Sequence, residues 1–116
     1  MSVLTKNTTE FLKVLGDQTR LEILNLLKKG ALSSKDIQTA LKKKQPTISQ
    51  QLKILQDSDL IIYNIKENDN GKKTKYYSYK DKQIYEILSS INYFIAKKNN
   101  KRIKDLSNLD VLDTLL

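Results

Sequence analysis

The sequence predicts a mainly α domain with one small β-hairpin, on three observations in its 116 residues. Apolar residues recur at helical spacing through most of the chain, in segments opened or closed by capping residues. Two neighbouring stretches, LIIYNIK at 60–66 and TKYYSYK at 74–80, are instead β-branched and aromatic and flank an Asn70-Gly71 turn signal. The single proline and all three glycines (Pro46, Gly16, Gly30 and Gly71) fall between these segments or at their ends.

A first helix is expected over about Thr5 to Leu15, with Phe11, Leu12 and Leu15 inward, and Gly16 closes it. Asp17 is a good N-cap for the second helix, in which Leu21, Leu24 and Leu27, with Ile23, make the apolar stripe. Lys28 and Lys29 occupy its last turn, where cations suit the helix dipole, and Gly30 is the expected C′ residue. Ser33 with Asp36 forms a capping-box pattern, Asp replacing the usual Glu, and opens a third helix through Ile37, Ala40 and Leu41. Lys42 to Lys44 then turn the chain into a fourth helix at Pro46, whose fixed φ suits a first helical position. After the QDSD turn and the hairpin, a helix starts near Asp81 with Ile84, Ile87, Leu88, Ile91, Phe94 and Ile95 on one broad face. Asn99-Asn100 break it, and Ile103, Leu106, Leu109, Leu112 and Leu115 suit a further helical stripe. The expected division is a folded domain at 1–98 and an amphipathic extension at 99–116.

Charge narrows the class. The chain has 21 basic and 13 acidic residues, a net charge of +8, which favours a polyanionic partner. The surplus is local: seven lysines and one acid, Asp36, lie between Lys28 and Lys53, whereas three aspartates and no base follow from Asp105. Without cysteine or histidine there is no disulfide, thiolate metal site or His-dependent catalysis. Neither a Gly-rich phosphate loop nor a convincing carboxylate pair is present; Asp57 and Asp59 read as turn residues. We therefore expect no enzyme, no catalytic residue, no cofactor and no metal. The N-terminus lacks a basic segment followed by an apolar core, and no apolar run approaches ~20 residues, so a cytoplasmic protein with no membrane partner is expected.

The stretch Gln45–Ile65 points most clearly to a task. Ile48, Leu52 and Leu55 share an inward stripe, leaving Gln50 and Lys53 outward, flanked by Thr47, Ser49 and Ile54. Amides, hydroxyls and an ammonium on one face are the groups that read base edges and phosphates. Two short helices joined by about four residues and followed by a hairpin compose a winged helix-turn-helix, so double-stranded DNA is the expected partner. The candidate reading residues are Gln45, Thr47, Ser49, Gln50 and Lys53, with Gln50 the favoured base reader; Lys43, Lys44, Lys72, Lys73 and Lys75 are candidate phosphate contacts. The plain alternative for each is a solvated surface, and lysines also guard hairpin edges. Strand tyrosines Tyr76, Tyr77 and Tyr79 read as packing rather than base stacking. Arg20 is either a structural ion pair or a phosphate contact, and the sequence does not choose.

Leu15-Gly16-Asp17-Gln18-Thr19-Arg20-Leu21-Glu22-Ile23-Leu24, Gln45-Pro46-Thr47-Ile48-Ser49, Leu52-Lys53-Ile54-Leu55 and Asp59-Leu60-Ile61, at this spacing, resemble the ArsR/SmtB family of winged-helix transcriptional repressors. The similarity covers roughly Phe11 to Ile95. It implies a symmetric homodimer built on the first and last helices and bound to a pseudo-palindromic operator. Many members sense metals through a Cys-x-Cys pair, whose matching positions here are Ser33 and Lys35, or through His and carboxylates on the last helix, which here has no His. Familiar metal sensing is therefore not expected, and the sequence leaves the effector unidentified. The residue before Gln45, commonly a capping Ser in the family, is Lys44, so a different cap is expected.

The apolar stripes of the last helices exceed what so small a core can bury, which makes a homodimer the natural outlet. Its candidate interface residues are Phe11, Ile84, Ile87, Leu88, Ile91, Phe94 and Ile95. The expected function is a homodimeric, sequence-specific regulator of transcription acting as a repressor by operator occlusion. Two rivals remain: an architectural protein that coats DNA with little sequence preference, and a winged-helix module for protein–protein interaction.

Overall fold

The computed structural model describes residues 2–99, so the stripe from Ile103 to Leu115 lies outside the described residues. The chain divides into two compact units, residues 1–80 and 81–116. The first contains α1 (Val3–Leu15), α2 (Gln18–Leu26) with a 3₁₀ turn at Leu27–Lys29, β1 (Leu32–Ser33), α3 (Ser34–Leu41), α4 (Gln45–Asp57), β2 (Ile61–Glu67) and β3 (Lys73–Tyr79). Within the second, α5 spans Lys82–Lys98. The fold is a winged helix-turn-helix.

The helix starts follow the sequence. The Asp17 carboxylate accepts from the Arg20 amide at 3.0 Å. Ser33 and Asp36 complete a reciprocal capping box: the Asp36 amide donates to Ser33 Oγ at 3.1 Å and the Ser33 amide to Asp36 Oδ2 at 3.3 Å. In the second unit Asp81 caps α5, and Asn99 closes it. Helix α4 begins one residue earlier than expected, at Gln45, so Pro46 falls in its second position; Lys44 is the N-cap and supplies no side-chain bond. An amide is dispensable at either position, which is why the proline fits.

Helix ends were less legible. At the end of α3, Lys42 is left-handed with φ 55°, and the Lys43 amide donates to the Gln38 carbonyl. Asp59 is left-handed with φ 60° after α4, where the Leu60 amide donates to Leu55 and the Asp59 amide to Gln56. Both are the return bond of a Schellman closure, made without the usual glycine. Gly30 does hold a conformation that side-chain-bearing residues avoid, with φ 143° and ψ −179°.

The core of this unit gathers Ile23, Leu24 and Leu27 of α2 and its turn, Ile37 of α3, Ile48, Leu52 and Leu55 of α4, and Leu60 and Ile61 at the entry to β2. Leu15 is buried as expected, but Leu12 is 55% exposed and Val14 is half-buried, a correction to the inward stripe expected for α1. Leu21 lies at the margin of the stripe rather than within it.

The sheet has three strands, not the two of a simple hairpin. Its order is β1-β3-β2, all antiparallel, with Leu32 opposite Tyr77 and Ser33 opposite Tyr76. The two-residue β1 is too short for any periodicity to announce it, and the capping box that follows dominates its sequence. Across the wing, Ile61 pairs with Tyr79 and the register runs without a bulge to Glu67 opposite Lys73. Gly71, at φ 79°, turns the tip, and the Asn68 side chain accepts from the Asn70 and Lys72 amides.

Candidate nucleic-acid interface

Helix α4 has two chemically distinct faces. Ile48, Leu52 and Leu55 are fully or almost fully buried and fix its azimuth. On the other side Gln45, Thr47, Gln50 and Lys53 are exposed and Ser49 is half-buried. All five sequence-predicted reading residues thus lie outside the buried stripe, spread over the rest of the helix circumference with Gln50 and Lys53 farthest from the core. Gln45 Nε2 donates to Ser49 Oγ at 2.8 Å, one turn on, and Lys53 pairs with Asp57 at 3.2 Å. Both links are solvent-exposed and weak enough to exchange for another partner. Gln50 makes no side-chain hydrogen bond among the described residues and projects freely.

Arg20 holds this helix in place. Its Nε donates to the Val14 carbonyl at 2.6 Å, Nη2 to the Lys13 carbonyl at 3.4 Å, and Nη1 to the Gln51 side-chain oxygen at 2.9 Å. One guanidinium therefore joins the end of α1, the start of α2 and the middle of α4, using the fixed fork that distinguishes Arg from Lys. The alternatives left open for Arg20 resolve into neither: it is structural, but its partners are two carbonyls and an amide rather than a carboxylate. Gln51 was not singled out in the sequence; as the third glutamine of a polar run, it carried no signal to separate it from Gln50.

At the wing, Lys72, Lys73 and Lys75 are exposed, as expected for the tip. The Lys75 ammonium lies 4.4 Å from the Tyr63 ring centroid and Lys66 lies 5.5 Å from that of Tyr76. Tyr63 and Tyr77 pack with centroids 6.0 Å apart, and the Tyr79 hydroxyl donates to the Leu24 carbonyl, tying β3 to α2. The strand tyrosines pack, as their spacing indicated. In the turn before α4, Lys44 is exposed while Lys43 is half-buried. Asp57 and Asp59 take separate lysine partners, Lys53 and Lys80, and shape the turn rather than facing each other as a pair. Burial lowers the pKa of Lys28 below the ordinary lysine value.

The residues expected at a dimer interface divide by exposure. Leu88 is buried within the chain, and Phe11, Ile84 and Ile87 are half-buried. Ile91, Phe94 and Ile95 are 38%, 68% and 51% exposed, and Tyr93, which the sequence reading passed over, is 66% exposed. Among the described residues no group of His, Cys, Asp and Glu is placed to hold a metal ion, and no helix is long and apolar enough to cross a membrane.

Comparison with known proteins agrees with this geometry. Residues 17–63, from the α2 cap through α4 into the wing, match the family described as bacterial regulatory protein, arsR family. The chain is 35% identical over 109 residues to the arsenical resistance operon repressor of Staphylococcus xylosus, covering 94% of this chain and 83% of that one. Among solved structures, Rv0081 of Mycobacterium tuberculosis superposes with a TM-score of 0.77 at 23% identity, over 89% of this chain and 99% of that one. The homodimeric winged helix-turn-helix DNA-binding domain Mb0332 of Mycobacterium bovis gives 0.70 at 22% identity, over 81% and 82%. A relationship that runs through nearly the whole chain, and a fold that runs through most of it, make this protein a member of the bacterial arsR family of regulatory proteins.

Proposed function

We propose that the protein is a cytoplasmic, homodimeric repressor of transcription that binds a pseudo-palindromic operator and excludes other proteins from it. The observation that carries this reading is the division of α4 into a buried aliphatic face and an outward face of Gln45, Thr47, Ser49, Gln50 and Lys53. Gln50 is unencumbered and has the bidentate geometry that selects adenine. Thr47 and Ser49 meet phosphate or a thymine methyl, and Lys53 leaves Asp57 for phosphate. Lys43, Lys44, Lys72, Lys73 and Lys75 add backbone contacts on either side. Residues 1–98 are the binding and dimerisation domain, with 99–116 an extension of it. Dimerisation uses the apolar residues of α1 and α5, chiefly Ile91, Phe94 and Ile95, since exposed apolar clusters of this kind are uncommon in monomers. Two copies of α4 then enter successive major grooves about 34 Å apart. The effector is not a metal held by thiolates or imidazoles, since the chain has neither Cys nor His.

The test is a titration of duplex from the gene's own upstream region against random duplex of equal length. A regulator prefers the specific site by roughly 10³ or more, whereas a ratio below about tenfold belongs to an architectural coating protein. Absence of any complex at low salt belongs to a protein–protein module.

A further inference from the structure

A second basic feature lies apart from the reading face of α4. The start of α3 and the wing enclose an open cleft of about 460 Å³, lined by Ser33, Ser34, Lys35 and the run Lys72–Tyr77. That volume falls within the ~300–1,000 Å³ range of small-ligand clefts. Four of its lining residues are lysines, Lys35, Lys72, Lys73 and Lys75, and none is acidic. The two ion pairs among the described residues, Lys53–Asp57 and Lys80–Asp59, engage none of these lysines. Asp36, next to Lys35, is held by the Ser33 amide in the capping box. Lys75 keeps its ammonium over the Tyr63 ring, an interaction that leaves its N–H donors available to an anion.

Backbone donors add to the lysines. The Leu60 carbonyl accepts from Lys80 and the Lys72 carbonyl from Asn68, so the ladder bonds between β2 and β3 fall at the even-numbered residues of β3. The amides and carbonyls of Lys73 and Lys75 therefore point the other way, toward the side on which β1 pairs. Strand β1 reaches only Tyr76 and Tyr77 and leaves that edge open beside the cleft. At the facing wall, the capping box engages the Ser33 and Asp36 amides, while those of Ser34 and Lys35 sit in the first turn, where no intrahelical acceptor exists.

We propose that this cleft binds a small ligand carrying two or more phosphate groups, and that such a ligand competes with the DNA backbone for the wing lysines. The ligand class follows from the lining: four lysines, open backbone amides and serine hydroxyls with no acidic residue match an anion of several charges. Competition rests on the functional reading above, in which Lys72, Lys73 and Lys75 meet operator phosphates; binding to the free protein does not.

The experiment uses the full chain, with inorganic triphosphate as the probe. Calorimetry without DNA, at fixed ionic strength, is expected to give one site per chain. Lys35→Ala is expected to weaken that site about tenfold or more, and Lys6→Ala, an equal charge change on α1, to leave it within about twofold. In a second arm, triphosphate is expected to release labelled DNA at concentrations where chloride of matched ionic strength does not. Equal losses in the two variants would show diffuse attraction to a basic surface and overturn the site. Lys35→Ala weakening DNA while triphosphate fails to bind the free protein would make the cleft part of the DNA surface only, which also overturns it. Triphosphate binding that holds while no duplex binds would overturn the competition and the functional reading, and leave the anion site standing.

Discussion

The Arg20 guanidinium donates to the Gln51 side-chain oxygen at 2.9 Å, joining positions 31 residues apart. Gln51 immediately follows Gln50, so the bond fixes the helix that presents the candidate base reader. Arg20 also satisfies the Val14 and Lys13 carbonyls where α1 ends. Replacing it leaves three acceptors unmet on two elements, the Lys13 and Val14 carbonyls of α1 and the Gln51 side-chain oxygen of α4. Arg20→Ala is expected to cost about 2 kcal/mol of stability, and Arg20→Lys to recover less than half of that, because an ammonium lacks the planar fork. Denaturant unfolding of the two variants checks both values. A double-mutant cycle with Gln51→Ala isolates the pair, for which about 0.5–1.5 kcal/mol of coupling is expected.

The two helices of the helix-turn-helix both end on left-handed residues that are not glycine, Lys42 at φ 55° and Asp59 at φ 60°. The left-handed region costs an L-residue roughly 1–2 kcal/mol, and glycine avoids that cost while losing some of the gain to its freer unfolded chain. Lys42→Gly is therefore expected to stabilise the fold by about 0.5–1 kcal/mol, read as a rise in thermal midpoint. Gly30→Ala is the converse. Nothing lies within 4 Å of the added Cβ, so the loss, about 1–3 kcal/mol, comes from φ 143° alone.

The Tyr79 hydroxyl donates to the Leu24 carbonyl and joins the last wing strand to α2. Tyr79→Phe keeps the ring and removes the donor. A loss of about 1 kcal/mol is expected, with the wing's amide exchange accelerated more than that of α3 or α4. Hydrogen exchange resolved by residue measures it.

Phe94 and Ile95 are more than half exposed on α5. In the dimeric account, Phe94→Asp with Ile95→Asp yields a monomer with unchanged helical content and much weaker operator binding, because two half-sites are no longer engaged together. Sedimentation equilibrium and circular dichroism on one sample separate dissociation from unfolding.

Wing charge is expected to act without regard to sequence. Lys73→Ala should weaken specific and random duplex alike and lower the slope of log affinity against log salt by about 1. Binding isotherms at several chloride concentrations give the slope directly.

Much of this fold was legible because its signals are local. Asp17, Ser33 with Asp36, and Asp81 cap their helices as their spacing implies, and the Ile48–Leu52–Leu55 stripe is buried as its period implies. Misses occurred where tertiary structure decides. Strand β1 exists only because β3 offers Tyr76 and Tyr77 as partners. Leu12 lies between Phe11 and Leu15 in the α1 pattern, yet it points outward, since the neighbours that select the buried side of α1 are remote in sequence. Lys42 and Asp59 gave no warning of their backbone, because the sequence signal for a left-handed cap is glycine. The exposure of the α4 polar residues was legible from the same period, but the bond that holds the helix was not: Gln51 is one of four glutamines in α4, and nothing local marks it as the partner of Arg20.

Selection of bound duplexes from a randomised pool, with the native chain and with Gln50→Ala side by side, tests the claim that α4 reads DNA. The native protein is expected to enrich a pseudo-palindrome with half-sites centred about 10 base pairs apart. Gln50→Ala is expected to enrich the same element with one position per half-site relaxed and affinity lowered by about 1–3 kcal/mol. A pool that yields no common element, or one that Gln50→Ala leaves unchanged at every position, would contradict the account.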